Sequence, residues 1–330
     1  MQQSNTTMKS PTFSKLFAAL VAGSLALGLA ACSKEGPGSS GSSDAGASGA
    51  SAAAPASGGA VTIGLSISTL NNPFFVSLKK GAEDEAKKDG VNLITVDAQN
   101  DPAKQQASVE DLIEKKVNVI LINPTDSSAV ANVVKEATSK GIKVISLDRS
   151  VNGAEVSSHI ASDNKAGGKM AADFLVEKLG GKGNIVELQG IPGSSAANER
   201  GAGFDDEIAA KGGVKIATKQ PADFDRAKGL SVMENIIQSN KDIQGVFAQN
   251  DEMALGAVKA LQAAGLKDVA VVGFDATDDA IAAVKAGQMA ATVQQQPELI
   301  GQYGVQTAKK LVDGQPVDKF IPVPLNLYKQ

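Results

Sequence analysis

The sequence predicts an α/β protein built as two similar lobes, each a parallel sheet with helices on both faces. Short apolar, β-branched runs begin near Val61, Val91, Val117, Ile142, Asn184, Val214, Ile243 and Val269, and helical patterns at 128–140, 196–210 and 252–264 lie between them. Runs that are apolar on both faces and joined by helices are the mark of parallel sheets. The part of the chain after residue 60 is about 270 residues, more than one core usually serves. The longest interval between run starts, Ile142 to Asn184, holds an extended polar stretch at 155–163 suited to crossing between lobes, with four strand–helix units before it and four after.

Taken in order, the chain begins with an export signal. Lys9 and Lys15 precede an apolar run over 16–31 that ends in Leu29-Ala30-Ala31-Cys32, with no acidic residue before it. A basic start, a short apolar segment and small residues before a cleavage point make a secretory signal, and the run is short for a membrane span. Leu-Ala-Ala-Cys resembles a bacterial lipobox, which predicts a lipoprotein signal peptide over 1–31 and lipidation of Cys32. Cys32 is the only cysteine, so no disulfide is expected and a large core must supply stability. Residues 32–60 then form a tether: from 36 to 60 every residue is Gly, Pro, Ser, Ala or a single Asp, a composition that stays flexible. Without residues 1–31 the chain carries 30 basic and 36 acidic residues, net −6, which argues against a nucleic-acid partner.

The first strand, Val61-Thr62-Ile63-Gly64-Leu65-Ser66-Ile67, runs into Ser68-Thr69-Leu70-Asn71-Asn72-Pro73-Phe74-Phe75. Phe75, Leu78, Ala82 and Ala86 follow at helical spacing on one face, so Phe75 reads equally well as core. Phe74 lies about 100° away around that helix and is harder to hide. Later strands also end in polar residues: Asp148-Arg149 after the fourth run, Gln189 to Ser194 with Arg200 on the next helix after the fifth, Gln249-Asn250-Asp251 after the seventh and Asp275 after the eighth. The carboxyl ends of strands are where open α/β sheets bind ligands. Any one Asp or Asn there also reads as a helix cap. Together they describe a cleft of Asp, Asn, Arg and aromatic rings, which suits a sugar: hydroxyls pair with carboxylates, amides and guanidinium, and CH faces lie on rings.

At this point the sequence resembles the bacterial ribose-binding proteins, over nearly the whole of 61–330. The likeness rests on the run from Ser68 to Val76, Leu121-Ile122-Asn123-Pro124-Thr125-Asp126, Ser158-His159-Ile160-Ala161-Ser162-Asp163-Asn164, Pro221-Ala222-Asp223-Phe224-Asp225-Arg226 and the run from Val246 to Met253. The resemblance implies the type I periplasmic binding protein arrangement, two Rossmann-like lobes joined by three hinge strands that close over a pyranose and hand it to the membrane permease of an ABC importer. It implies hinge crossings near Ser162, Gln295 and Val323, an N-terminal lobe of 61–162 plus 296–324, and a C-terminal lobe of 163–295 plus 325–330. It also implies that Phe74, Phe75 and Phe224 sandwich the ring, while Asn72, Asp148, Arg149, Arg200, Asn250, Asp275 and Gln295 take its hydroxyls. The expected ligand is D-ribose, with allose, xylose, galactose or a furanosyl signalling molecule as the alternatives the fold allows. A monomer is expected, lipid-anchored in the periplasm or on the outer face of the cell membrane, with a chemotaxis receptor as a second partner. The lipobox and tether lie outside the resemblance, and Asn198 stands where an arginine is expected.

Enzyme chemistry finds little support, and neither cofactor nor metal is expected. The sole histidine, His159, lies on a hinge-like segment, and Ser194 and Ser195 lack a Gly-x-Ser-x-Gly elbow. Gly190-Ile191-Pro192-Gly193 is followed by no Gly-Lys-Ser/Thr. Zinc lacks Cys and His ligands, and Asp275-Ala276-Thr277-Asp278-Asp279 lacks the spacing of a calcium loop. A sugar-responsive repressor core would need a helix-turn-helix before the first strand, where the signal and tether stand.

Overall fold

A computed structural model describes residues 61–330; the expected signal, Cys32 and the tether lie outside the described residues. The first lobe comprises β1 (Thr62–Ile67), α1 (Pro73–Lys88), β2 (Asn92–Asp97), α2 (Pro102–Glu114), β3 (Val119–Ile122), α3 (Ala131–Ser139), β4 (Lys143–Leu147) and β5 (Ser158–Ser162). The second comprises α4 (Asn164–Lys178), β6 (Gly183–Gln189), α5 (Ser195–Lys211), β7 (Val214–Pro221), α6 (Arg226–Ser239), β8 (Gly245–Ala248), α7 (Asp251–Ala263), β9 (Ala270–Asp275), α8 (Asp278–Lys285) and β10 (Ala291–Gln294). The chain then returns through α9 (Pro297–Val312) and ends in β11 (Phe320–Val323) and β12 (Asn326–Lys329).

These strands form two sheets, ordered β11-β5-β4-β3-β1-β2 and β12-β10-β9-β8-β6-β7. The pairings are parallel except β10 with β12. The chain passes between the sheets after β5, after β10 and between β11 and β12. The α/β class and the two similar halves agree with the sequence reading. The strand inventory is larger: β5, β10, β11 and β12 are ladder strands, and the 155–163 stretch read as a crossing contains β5, paired with β4 and β11.

Strand alternation divides each core into two layers. Val119 and Leu121 join Ile63, Leu65 and Phe75 under α1 and α9, whereas Ile120 and Ile122 join Leu112 and Val133 under α2 and α3. Successive side chains point to opposite faces, so a fully apolar strand such as Val119-Ile120-Leu121-Ile122 feeds both layers. Each such side chain contributes about 1.5–3 kcal/mol on burial.

Helix pairs meet through reciprocal glycines. A Cβ at Gly81 of α1 would strike the Glu298 carbonyl of α9, and one at Gly301 of α9 would strike the Leu78 carbonyl of α1. The same reciprocity joins α4 to α5 (Gly168 with the Arg200 carbonyl, Gly203 with that of Lys165) and α6 to α7 (Gly229 with Met253, Gly256 with Arg226). Backbone thus lies on backbone at three crossings, which sets how deeply each helix seats.

Candidate ligand-binding site

One cavity lies between the lobes at the carboxyl ends of the strands. It is lined from the first lobe by Asn72, Phe74 and Phe75 at the start of α1 and by Asp148 and Arg149 after β4. From the second it is lined by Arg200 on α5, Phe224 after β7, Asn250 after β8, Asp275 at the end of β9 and Gln295 after β10. All ten residues expected at the site therefore converge. Ala196, on the first turn of α5, also lines the cavity and escaped the sequence reading because a methyl group advertises no chemistry. Asn198 is exposed and off the cavity wall.

Several side chains serve the fold and the cavity together. Asn72 caps α1, its Oδ1 accepting from Phe74 N at 2.9 Å, and Asn250 caps α7, accepting from Met253 N at 3.0 Å. Helix capping thus holds for these two without removing them from the wall. Phe74 and Phe75 belong to the first core and also face the cavity, their rings edge-on at 5.2 Å and 88°. Gly190 makes room for the Phe224 ring, which a Cβ there would strike.

The two aspartates are not caps. Asp148 sits at φ 61 in a tight turn in which Arg149 N donates to Leu147 O at 2.6 Å, and Asp275 sits at φ 122 with Ala276 at φ 59. Phe224 is also left-handed, at φ 58. Such conformations cost about 1–3 kcal/mol each outside glycine and persist only where their surroundings enforce them. Here Asn123 donates through Nδ2 to Asp148 Oδ2 at 3.2 Å and to Leu147 O at 3.1 Å, and Gln295 Nε2 donates to Asp275 Oδ1 at 2.8 Å.

Both guanidinium groups are buried and only partly spent. Arg149 Nη1 donates to Pro124 O at 2.9 Å, its Nε lies 3.7 Å from Asp148 Oδ2 without a hydrogen bond, and its fork stands over Phe75 at 5.1 Å and Phe224 at 5.4 Å. Arg200 donates through Nε to Asn164 Oδ1 at 2.9 Å and through Nη1 to Gln249 O at 2.7 Å, with its fork 3.8 Å above the Phe274 ring and 3.9 Å from Asp275 Oδ1. Burial lowers Arg149 to about 10, with Asp148 opposing, and lowers Arg200 as well, with Asp275 opposing. Burial pushes Asp275 well above the carboxylate range, while Arg200 and Gln295 pull it back. Two guanidinium groups and two carboxyl groups share the wall, a set of donors and acceptors suited to an uncharged, hydroxyl-rich ligand.

A layer of amides holds this wall. Gln249 accepts from Gly190 N at 2.8 Å and donates through Nε2 to Glu187 Oε1 at 2.7 Å, fixing the backbone carbonyl that binds Arg200. Burial, with Asp205 adding, pushes Glu187 up to about 7. At the rim the lobes bond directly: Ser127 N to Gly193 O at 3.1 Å, Ser195 N to Ser127 Oγ at 3.1 Å, and Ser150 N to Ser195 Oγ at 2.9 Å. His159 stays off the cavity, its Nδ1 2.9 Å from Ser146 Oγ.

Known proteins are similar to this chain in sequence and in fold. The ribose import binding protein RbsB of Bacillus subtilis is 54% identical over 269 residues, 82% of this chain and 87% of the relative. The RbsB of Escherichia coli is 55% identical over 266 residues, 81% and 90% of the two chains. Among solved structures, the Caulobacter myo-inositol binding protein superposes with a TM-score of 0.80 at 35% identity, covering 83% of this chain and 94% of that one. A solute binding protein of an ABC transporter from Mycobacterium smegmatis with bound glycerol gives 0.79 at 36%, covering 82% and 94%. The profile of the periplasmic binding protein domain matches residues 63–316. With two doubly wound lobes closing over one polar cavity, and with relatives of this identity over most of its length, the chain belongs to the periplasmic binding protein family.

Proposed function

We propose that this chain is the substrate-binding component of a ribose importer, capturing D-ribose between its lobes outside the cytoplasm and delivering it to the permease of an ABC transporter. The observation that carries this reading is the convergence of ten polar and aromatic side chains from both lobes on one cavity. Its support is the ribose import function named for relatives at 54% and 55% identity. Arg149 Nε and Gln295 Oε1 are buried without a protein partner, a donor and an acceptor suited to hydroxyl groups. The Phe74, Phe75 and Phe224 rings suit the CH faces of a pyranose. No covalent step is required: the ligand touches both lobes and so favours the closed state through differential contacts, with the crossings between the sheets as hinge.

Calorimetric titration of the lipid-free chain beginning at Ser33 tests the ligand, because the sequence has no Trp and only two Tyr to report binding optically. One-to-one binding of ribose, with allose, xylose, galactose and glucose at least about a hundredfold weaker, is the expected result. Binding of another of these sugars in place of ribose would keep the receptor class and move its ligand.

The same reading attaches the body to a membrane through lipid on Cys32. Two or more acyl chains, each methylene contributing about 0.8 kcal/mol, suffice for stable anchoring. Cys32→Ser is expected to shift the protein from the membrane pellet to the soluble fraction with ribose binding unchanged. A Cys32→Ser protein that stays in the pellet after a salt wash would rule the lipid anchor out. A chemotaxis receptor reading the closed form is a second partner consistent with this class.

A further inference from the structure

The turn that presents Asp275 to the cavity is left-handed at two successive non-glycine residues, φ 122 at Asp275 and φ 59 at Ala276. Neither residue enforces that conformation by itself. Behind the turn lies a buried network outside the cavity wall. Thr292, fully buried on β10, accepts from Ala276 N at 3.2 Å and donates its hydroxyl to Asp251 Oδ1 at 2.7 Å. The other oxygen of Asp251 accepts from Thr277 N at 2.8 Å and Thr277 Oγ1 at 3.2 Å. Asp251 is fully buried, and Gly273 on β9, paired with Thr292, leaves the space its carboxylate occupies: a Cβ at Gly273 would strike Asp251 Oδ1. Asp251 itself follows Asn250, so the network joins two cavity residues to β10, the strand that runs into Gln295 and the crossing to the other lobe.

We propose that Thr292, seated on Asp251, is a positioning residue for ligand binding: its hydroxyl clamps the Asp275–Ala276 turn to the strand that leads into the hinge, and so fixes the Asp275 carboxylate in the cavity. The inference rests on the ribose reading for its affinity consequence, but the clamp is a property of the unliganded protein as well. A threonine hydroxyl is the group that can accept from a backbone N–H while donating to a carboxylate. Valine has the same shape and lacks both functions; serine keeps both.

The test is a cycle of four proteins, unmutated, Thr292→Val, Asp275→Ala and the double variant, titrated with ribose by calorimetry, with Thr292→Ser as the conservative control. Thr292→Val is expected to weaken ribose binding about tenfold, the scale of one hydrogen bond to a charged group, and Thr292→Ser less than about threefold. In the Asp275→Ala background Thr292→Val is expected to change affinity by less than about twofold, since there is no carboxylate left to position. A loss of the same factor in both backgrounds, or no loss in either, overturns the proposal. Amide hydrogen exchange without sugar decides the clamp independently: Ala276 N–H should exchange at least about tenfold faster in Thr292→Val and at the unmutated rate in Thr292→Ser. If the unmutated protein does not bind ribose, the ligand assignment fails while the exchange result still upholds or overturns the clamp.

Discussion

Arg200→Ala is expected to weaken ribose binding by about a hundredfold or more, because it removes a buried charged donor and leaves Asp275 without its nearest cation. The same substitution costs stability, since Asn164 Oδ1 and Gln249 O lose the groups that satisfy them. A loss of about 2–6 kcal/mol is expected, each of the two orphaned polar groups contributing about 1–3 kcal/mol. Calorimetry well below the melting temperature separates the two effects. Asp148→Gly provides the contrasting arm. Glycine relieves the left-handed backbone at φ 61 while deleting the carboxylate, so affinity should fall at least about tenfold with stability held within about 1 kcal/mol. Ribose affinity within about threefold of the unmutated value in both variants would mean that these residues do not carry the ligand.

The division between what was legible and what was not follows from the physics of each residue. The central apolar runs announced themselves because a central parallel strand is buried on both faces, as Val119-Ile120-Leu121-Ile122 is. β2 and β7, at the sheet edges, are mostly half-buried or exposed and were visible through their β-branched residues. β5, β10, β11 and β12 did not announce themselves. Ser158-His159-Ile160-Ala161-Ser162 is too polar to read as a buried run, and β11 carries Pro322, which a sheet tolerates at its edge, where β11 lies. At the site, polar residues at strand ends were visible as a class, and the resemblance supplied which ones. The left-handed turns at Asp148 and Asp275 left no trace, because glycine, the usual signal for positive φ, is absent there. The residues that hold the wall were equally silent. Gln249, Asn123 and Thr292 do their work through backbone groups and through one another, and nothing in local sequence says which polar side chains turn inward.

Gly168→Val is expected to damage the site from a position that does not touch it. Gly168 of α4 faces the carbonyl of Arg200, and Gly203 of α5 faces that of Lys165, the neighbour of Asn164. A side chain at Gly168 must therefore push α5 outward at the residue whose guanidinium bonds Asn164 and Gln249. Overpacking of this kind costs about 1–3 kcal/mol or more, and here the obstruction is backbone, which has no rotamer to yield. For a body of this size that is a fall in melting temperature of roughly 2–5 °C, with ribose affinity reduced at least about tenfold by misplacement of Arg200. Gly301→Val presses on the Leu78 carbonyl in the first lobe, at a crossing whose contacting carbonyls belong to no cavity residue. It should lower the melting temperature by a similar amount with a smaller effect on affinity. Equal affinity losses in the two variants, at matched stability, would show that helix seating acts on the cleft only through overall stability. A larger loss for Gly168→Val ties the depth of one helix crossing to the placement of one guanidinium.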